Sequence, residues 1–318
     1  MAAAAKGVFV SVSKGKGEAG KALLIAGAGF VTLSLGDAVV KTMAGEWPAT
    51  GVAMLRYSAG ALGLGIAAAL FHGREGLRPI LPWIQLGRGA SVALATISFF
   101  LATYAMPLAD ATSVQFTNPM LTALLSALIL GEKAPRAVWG ASVLAFLGVL
   151  VVLRPNLLEL GATALLPLGS AFGMAWLMIF NRKCAGAGHV LTMQFLVSAV
   201  AAVLLTAIAI VAHMAVGGAF TLSWPSLGVL LKCLLVATTA STAHLLIYVA
   251  TTKASAAVVA PMTYVQLLAA VGLGWLWFGD HPDLATLGGA AMIVGSGLWL
   301  WNSQRDRDGE TIATDTRR

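Results

Sequence analysis

Two stretches decide the fold: GEKAPRAVWGASVLAFLGVLVVL, residues 131–153, and GDHPDLATLGGAAMIVGSGLWLW, residues 279–301. In each, an apolar segment ends at a glycine and an acid, Gly131-Glu132 or Gly279-Asp280. A proline follows, Pro135 or Pro282. Then come glycines eight residues apart, Gly140 and Gly148 in the first copy, Gly289 and Gly297 in the second. Local physics accounts for the pattern. Glycine closes one helix and proline opens the next. An acid near the new N-terminus suits the helix dipole, so Glu132 and Asp280 read as structural caps. Glycines spaced by eight keep one helix face thin for close packing.

Working outward, the two copies lie about 148 residues apart. That offset holds five apolar segments, so the chain reads as an internal repeat. A membrane-crossing helix needs about 20 mostly apolar residues. Ten such spans are expected: 22–43, 49–71, 89–107, 111–131, 136–153, 162–180, 190–214, 227–250, 255–278 and 284–302. Residues 79–88 read as a surface helix leading into the third. Five is odd, so the second copy enters the bilayer from the opposite side. The expected fold is all-α and polytopic, ten transmembrane helices as two inverted five-helix repeats. Its parts are a cytoplasmic segment 1–21, a first repeat 22–154, a second repeat 162–302 and a cytoplasmic tail 303–318.

Composition agrees. Of 318 residues, 58% are hydrophobic and only 10% charged. A soluble domain carries roughly 25% charged residues, so most of this surface must face lipid. The net charge of +7 does not point to nucleic acid, because the basic residues sit between apolar stretches. With both termini cytoplasmic, Lys6, Lys14, Lys16, Lys21, Arg74, Arg78, Arg88, Lys133, Arg136, Arg182, Lys183, Lys253, Arg305, Arg307, Arg317 and Arg318 all fall on the cytoplasmic side. Arg154 alone falls in an external loop, and Lys41, Arg56 and Lys232 lie in or near spans. Cys184 and Cys233 make no disulfide framework and no metal spacing. Trp275, Trp277, Trp299 and Trp301 fall near span ends, as interfacial anchors do.

Several motifs resemble one family. YAMPLADATSVQFTNPMLTALLSALILGEKAP (104–135) resembles the fourth-helix signature of EamA-type carriers of the drug/metabolite transporter (DMT) superfamily. ASAAVVAPMTYVQLLAAVGLGWLWFGDHPDLATLGGAAMIVGSG (254–297) is similar to the matching second-half signature. SLGDAVVKTMAGEWPATGVAMLRY (34–57) looks like the family's first two helices. Asp280 stands where the family more often has glutamate. The resemblance spans roughly residues 22–302 and implies a ten-helix inverted fold and a secondary transporter. The family's cargoes include amino acids, nucleotide-linked compounds, vitamins and drugs. The Asp37…Lys41 helix resembles that of S-adenosylmethionine or riboflavin carriers.

The residues that could do the work are polar groups inside spans, each costly in hydrocarbon. Asp37 and Lys41, four apart, share a helix face. They form either a cavity wall, with Asp37 holding substrate or a proton, or a buried ion pair that fixes packing. Arg56 meets an anionic group of substrate, pairs with Asp37, or holds helix-end carbonyls. Asp110, in the turn before span four, reads as an N-cap. Gln115 and Asn118, three apart on span four, share one face, and their counterparts on span nine are Tyr264 and Gln266. Counting from the repeat sets Asn118 opposite Gln266. These amides either line a central cavity or join helices by hydrogen bonds. Trp176, His244 and Tyr248 complete the candidate site; His244 is equally readable as a packing hydrogen bonder.

No catalytic residues, metal site or cofactor are expected. There is no zincin motif, phosphate loop or dinucleotide fingerprint, so transport runs downhill or on an ion gradient. The expected partners are a small-molecule substrate and the lipid bilayer, with no nucleic acid, in a bacterial inner membrane. No motif sets an oligomeric state. The rival reading, an intramembrane enzyme acting on a lipid-linked substrate, requires a nucleophile or metal cluster that the sequence does not display.

Overall fold

The structure is a computed structural model describing residues 16–129, 136–184, 187–253 and 262–315. Gly131, Glu132 and Pro135 of the first copy, and Pro261, lie outside the described residues. Those described contain helices and no strand. In chain order they are α1 Lys16–Lys41, α2 Ala49–His72, α3 Pro82–Ala105, α4 Leu108–Gln115, α5 Asn118–Ile129, α6 Arg136–Leu160, α7 Leu166–Lys183, α8 Val190–Ala215, α9 Leu227–Lys253, α10 Thr263–Phe278 and α11 Leu284–Asp315. Among the described residues, six helical segments are long and apolar enough to cross a bilayer, and Trp139–Val152, Tyr264–Phe278 and Leu284–Trp299 are shorter apolar helices. The chain is therefore a multi-pass helical membrane protein, since in lipid every backbone polar group must be bonded within the segment.

Two elements differ from expectation. Residues 82–88 belong to the third long helix rather than to a separate surface helix: α3 opens with Pro82 at its start and runs unbroken to Ala105. The fourth segment is two helices rather than one, α4 and α5, separated at Phe116 and Thr117. Pro119 has no N–H to bond the carbonyl four residues back, that of Gln115, where α4 ends. Gln115 and Asn118 therefore sit on different helices and do not share one helical face.

The principal helix pairs join residues before 160 to residues after it: α1 with α9 and α10, α2 with α8, α3 with α7 and α8, α5 with α7, and α6 with α11. Glycines set the approach distances. In the α6–α11 pair a Cβ at Gly148 would lie 2.8 Å from the Gly289 carbonyl oxygen, and one at Gly289 would lie 2.6 Å from the Gly148 carbonyl oxygen. The two motif glycines thus face each other across the joint. Gly279, at φ +66°, closes α10 in the left-handed conformation, which a residue with a Cβ rarely adopts. The cap of α11 is Asp283, whose Oδ1 accepts the Thr286 backbone N–H at 2.6 Å. Asp280 does not cap α11; its partner is Lys41.

Arg88, assigned to the cytoplasmic side by sequence, is 6% exposed. Its Nε donates to Asn181 Oδ1 at 2.7 Å, and its Nη1 to Gln85 Oε1 at 2.8 Å and the Met193 carbonyl at 3.2 Å. It ties α3, α7 and α8 together. Cys184 and Cys233 are buried free thiols.

Candidate functional site

The centre of the site is built from α1, α2, α9 and α10. On α1, Ser34 and Asp37 lie three apart and so project from one face. Both reach the same residue of α10: the Ser34 hydroxyl donates to the Gln266 carbonyl at 2.7 Å, and the Gln266 Nε2 donates to Asp37 Oδ2 at 3.2 Å. Asp37 is therefore paired not with Lys41, as one sequence reading had it, but with an amide from the second half of the chain. Arg56 of α2 acts electrostatically on Asp37 and on His244 of α9. Its guanidinium lies over the rings of Tyr57, at 4.9 Å, and Phe100, at 5.4 Å. Tyr57 is fixed in turn by a 2.9 Å hydrogen bond between its hydroxyl and that of Thr96 on α3. The exposed His244 ring donates from Nδ1 to the Ala240 carbonyl at 2.6 Å, since a carbonyl can only accept. Asp37, Arg56, Gln266 and His244, separated by up to 229 residues in sequence, thus gather in one region.

The remaining candidates lie apart from that region or serve packing. Gln115 donates to Ser170 Oγ at 2.9 Å, joining α4 to α7. Asn118 opens α5, and its carbonyl accepts the Thr122 hydroxyl at 2.8 Å. Tyr264 packs edge-on against Phe116, centroids 6.1 Å apart, and its hydroxyl fills the space where a Cβ on Gly297 would stand. Trp176 stacks on Phe180 at 5.6 Å and lines an apolar groove of about 320 Å³ with Gly87, Ala90 and Leu94 of α3. Ala90 and Leu94 are on the outward face of α3, opposite Thr96 and Phe100. The Tyr248 side chain lies outside the described residues.

One end of the bundle carries a polar network that sequence reasoning missed. Lys41 Nζ bonds Asp280 Oδ2 at 2.5 Å and the Met106 carbonyl at 3.3 Å, and lies 4.8 Å from the centre of the Phe278 ring. Lys232 Nζ bonds Glu46 Oε1 at 2.7 Å. The Trp47 indole N–H donates to the Ser223 carbonyl at 3.0 Å, and the Tyr104 hydroxyl to the Trp47 carbonyl at 3.1 Å. Asp110 is not an N-cap, because Pro107 holds that position; it is buried and accepts the Thr286 hydroxyl at 3.0 Å. The only sequence signal for these contacts was the presence of Lys41, Asp110 and Lys232 in or beside apolar segments, each needing a partner.

A bundle of apolar helices with carboxylate, guanidinium and amide groups gathered inside it defines a polytopic membrane protein with a polar interior. Comparison with known proteins narrows the class. Residues 20–154 match the EamA-like transporter family. A pseudopaline exporter of Pseudomonas aeruginosa is 29% identical over 276 residues, covering 86% of this chain and 93% of that one. An S-adenosylmethionine uptake transporter of Rickettsia prowazekii is 24% identical, covering 87% and 90%. A riboflavin transporter of Rhizobium johnstonii is 27% identical, covering 74% and 76%. A solved crystal structure, 19% identical, has the same fold: TM-score 0.57, over 88% of this chain and 96% of that one. The first half of the chain thus resembles the EamA-like transporter family, and the relatives it matches along most of its length are named as transporters of small molecules.

Proposed function

We propose that this carrier moves one small organic metabolite across the bacterial inner membrane by alternating access, with both termini in the cytoplasm. Its parts are the two inverted repeats, 22–154 and 162–302, flanked by the segments 1–21 and 303–318. The observation that carries this reading is the pattern of helix pairs. Exchanging each helix for its counterpart five spans away turns α1–α9 into α7–α3 and α1–α10 into α7–α5. It returns α2–α8 and α6–α11 to themselves. All these pairs occur, as an inverted repeat requires, and a symmetric set of joints can exchange one opening for its mirror image.

Substrate sits where the halves meet, against Asp37, Arg56, Gln266 and His244, with Gln115, Asn118 and Tyr264 of the inner helices beside it. Asp37 is the proton-coupling candidate. The named cargoes of the relatives, pseudopaline, S-adenosylmethionine and riboflavin, set the size class. Reconstituted into proteoliposomes, the chain should give saturable flux and counterflow of a metabolite of that size. Flux that rises linearly with concentration, without counterflow, would refute a carrier.

A further inference from the structure

Two cations hold opposite ends of the bundle, and they are counterparts in the repeat. Arg88 and Lys232 lie 144 residues apart, the same separation as Tyr104 and Tyr248. Each stands in the second turn of its helix, α3 or α9. Arg88 ties the start of α3 to Asn181, in the last turn of α7. Lys232 ties the start of α9 to the segment just past α1. Its Nζ donates to Glu46 at 2.7 and 2.9 Å and to the Thr42 carbonyl at 3.5 Å. Exchanging α3–α7 for α9–α1 thus exchanges the two clamps and the two ends. At the Lys232 end two more contacts join residues before 160 to residues after it, Lys41 to Asp280 and the Trp47 indole to the Ser223 carbonyl. Met43 and Cys233 are buried beside them, their sulfur atoms 3.9 Å apart.

The clamps differ in chemistry. Arg88 is buried, and its oxygen acceptors are two side-chain amides and a backbone carbonyl. Lys232 and Glu46 are an ion pair with side chains 31% and 47% exposed. Water and salt reach such a pair, so it adds little to a static fold. A modest contact of this kind is enough to bias two states close in free energy.

We propose that Lys232 and Glu46, with Lys41 and Asp280, form the gate at this end of the bundle. The pairs hold the two halves of the chain together there and part each time that end opens. Arg88 is the counterpart clamp at the other end, and only the Lys232 gate is ionic. The proposal rests on the carrier reading and adds to it the contacts by which one entrance closes.

The test reads accessibility and needs no cargo. Asp37→Cys, in the full chain carrying Cys184→Ala and Cys233→Ala, places a thiol one turn behind Lys41. A membrane-impermeant maleimide is applied to intact cells or to inverted membrane vesicles, and modification of residue 37 is read by mass spectrometry. From the face that bears Lys41, Glu46→Gln or Lys232→Gln should speed modification about two- to fivefold, the shift a half-exposed ion pair makes in a two-state equilibrium. The exchanged pair, Glu46→Lys with Lys232→Glu, should return the rate to that of the parent. Added salt should speed modification in the parent and not in Lys232→Gln. From the opposite face none of these changes should speed it. If Asp37→Cys does not fold, Ser34→Cys on the same helix face carries the thiol instead. A rate unchanged by Glu46→Gln, or not restored by the exchanged pair, overturns the gate. So does modification that rises from both faces together with a lower unfolding midpoint, which marks a tie that only holds the fold. These outcomes leave the carrier reading standing, since counterflow tests that reading separately.

Discussion

Lys41 and Asp280, 239 residues apart in sequence, meet with Nζ 2.5 Å from Oδ2, their side chains 14% and 21% exposed. The contact joins the end of α1 to the turn between α10 and α11. Such a pair gains much from its partner and little from water, so its halves are coupled. Lys41→Met or Asp280→Asn alone should lower stability by roughly 2 kcal/mol, because the partner is left charged and half-buried. The double variant should fall short of the sum by roughly 1–2 kcal/mol. Thermal unfolding of the four proteins in one detergent measures the cycle; additive losses would mean the contact is not made.

Gly148 and Gly289 leave no room for a side chain between α6 and α11. Gly148→Leu must push the helices apart and should cost roughly 1–3 kcal/mol. Gly272, which has open space around it, is the control: Gly272→Ala should be neutral or slightly stabilising. Unfolding midpoints distinguish the two.

Gly297 is the seat of the Tyr264 hydroxyl. Gly297→Ala should therefore destabilise the protein, and Tyr264→Phe in the same chain should restore part of the loss by removing the displaced atom. A double variant no better than Gly297→Ala would show that the ring as a whole, not the hydroxyl, is displaced.

Asp283 caps α11 from an exposed position. The Thr286 N–H holds its carboxyl below the ordinary carboxylate range. A depressed value in the folded state means stability that is present above the unfolded-state value and lost as pH falls through the folded one. Asp283→Ala should cost about 1 kcal/mol near neutral pH. The difference from wild type should vanish in acid, as read from unfolding at a series of pH values.

Asp37→Asn removes the carboxylate proposed to couple a proton while keeping a partner for Gln266. Uptake driven by a pH gradient should be lost and downhill counterflow should persist. Gradient-driven uptake that survives would assign Asp37 a structural role.

The multi-pass, all-helical character was legible because hydrocarbon leaves few choices: length and apolarity mark the helices that cross it. Asp37, Arg56, Gln266 and His244 stood out for a related reason, since polar groups within spans need partners. The partners themselves were not legible. Asp37 has Lys41 one turn away in sequence, yet Gln266 bonds it and Asp280 takes the lysine. Sequence spacing reports a shared helix face but not which distant helix approaches it. Tyr264 and Gln115 were placed by type, as polar groups at related depths. Their actual positions depend on Gly297 and on the break before Pro119, both of which are backbone effects. Arg88 was read only for the side of the membrane it lies on; Gln85, one turn earlier, was the available sign that it was bonded inside.

The pairing of α1 with α9, α2 with α8 and α6 with α11 has a consequence for biogenesis. The helices made first are synthesised before their main partners exist. While the second half is still being translated, the glycine-lined faces of α1 and α6 and the unpaired charge of Lys41 must wait in lipid or against insertion machinery. Assembly is thus a late event, completed only when α11 arrives to meet α6. A chain truncated before that helix would lack not one joint among many but the main partner of α6.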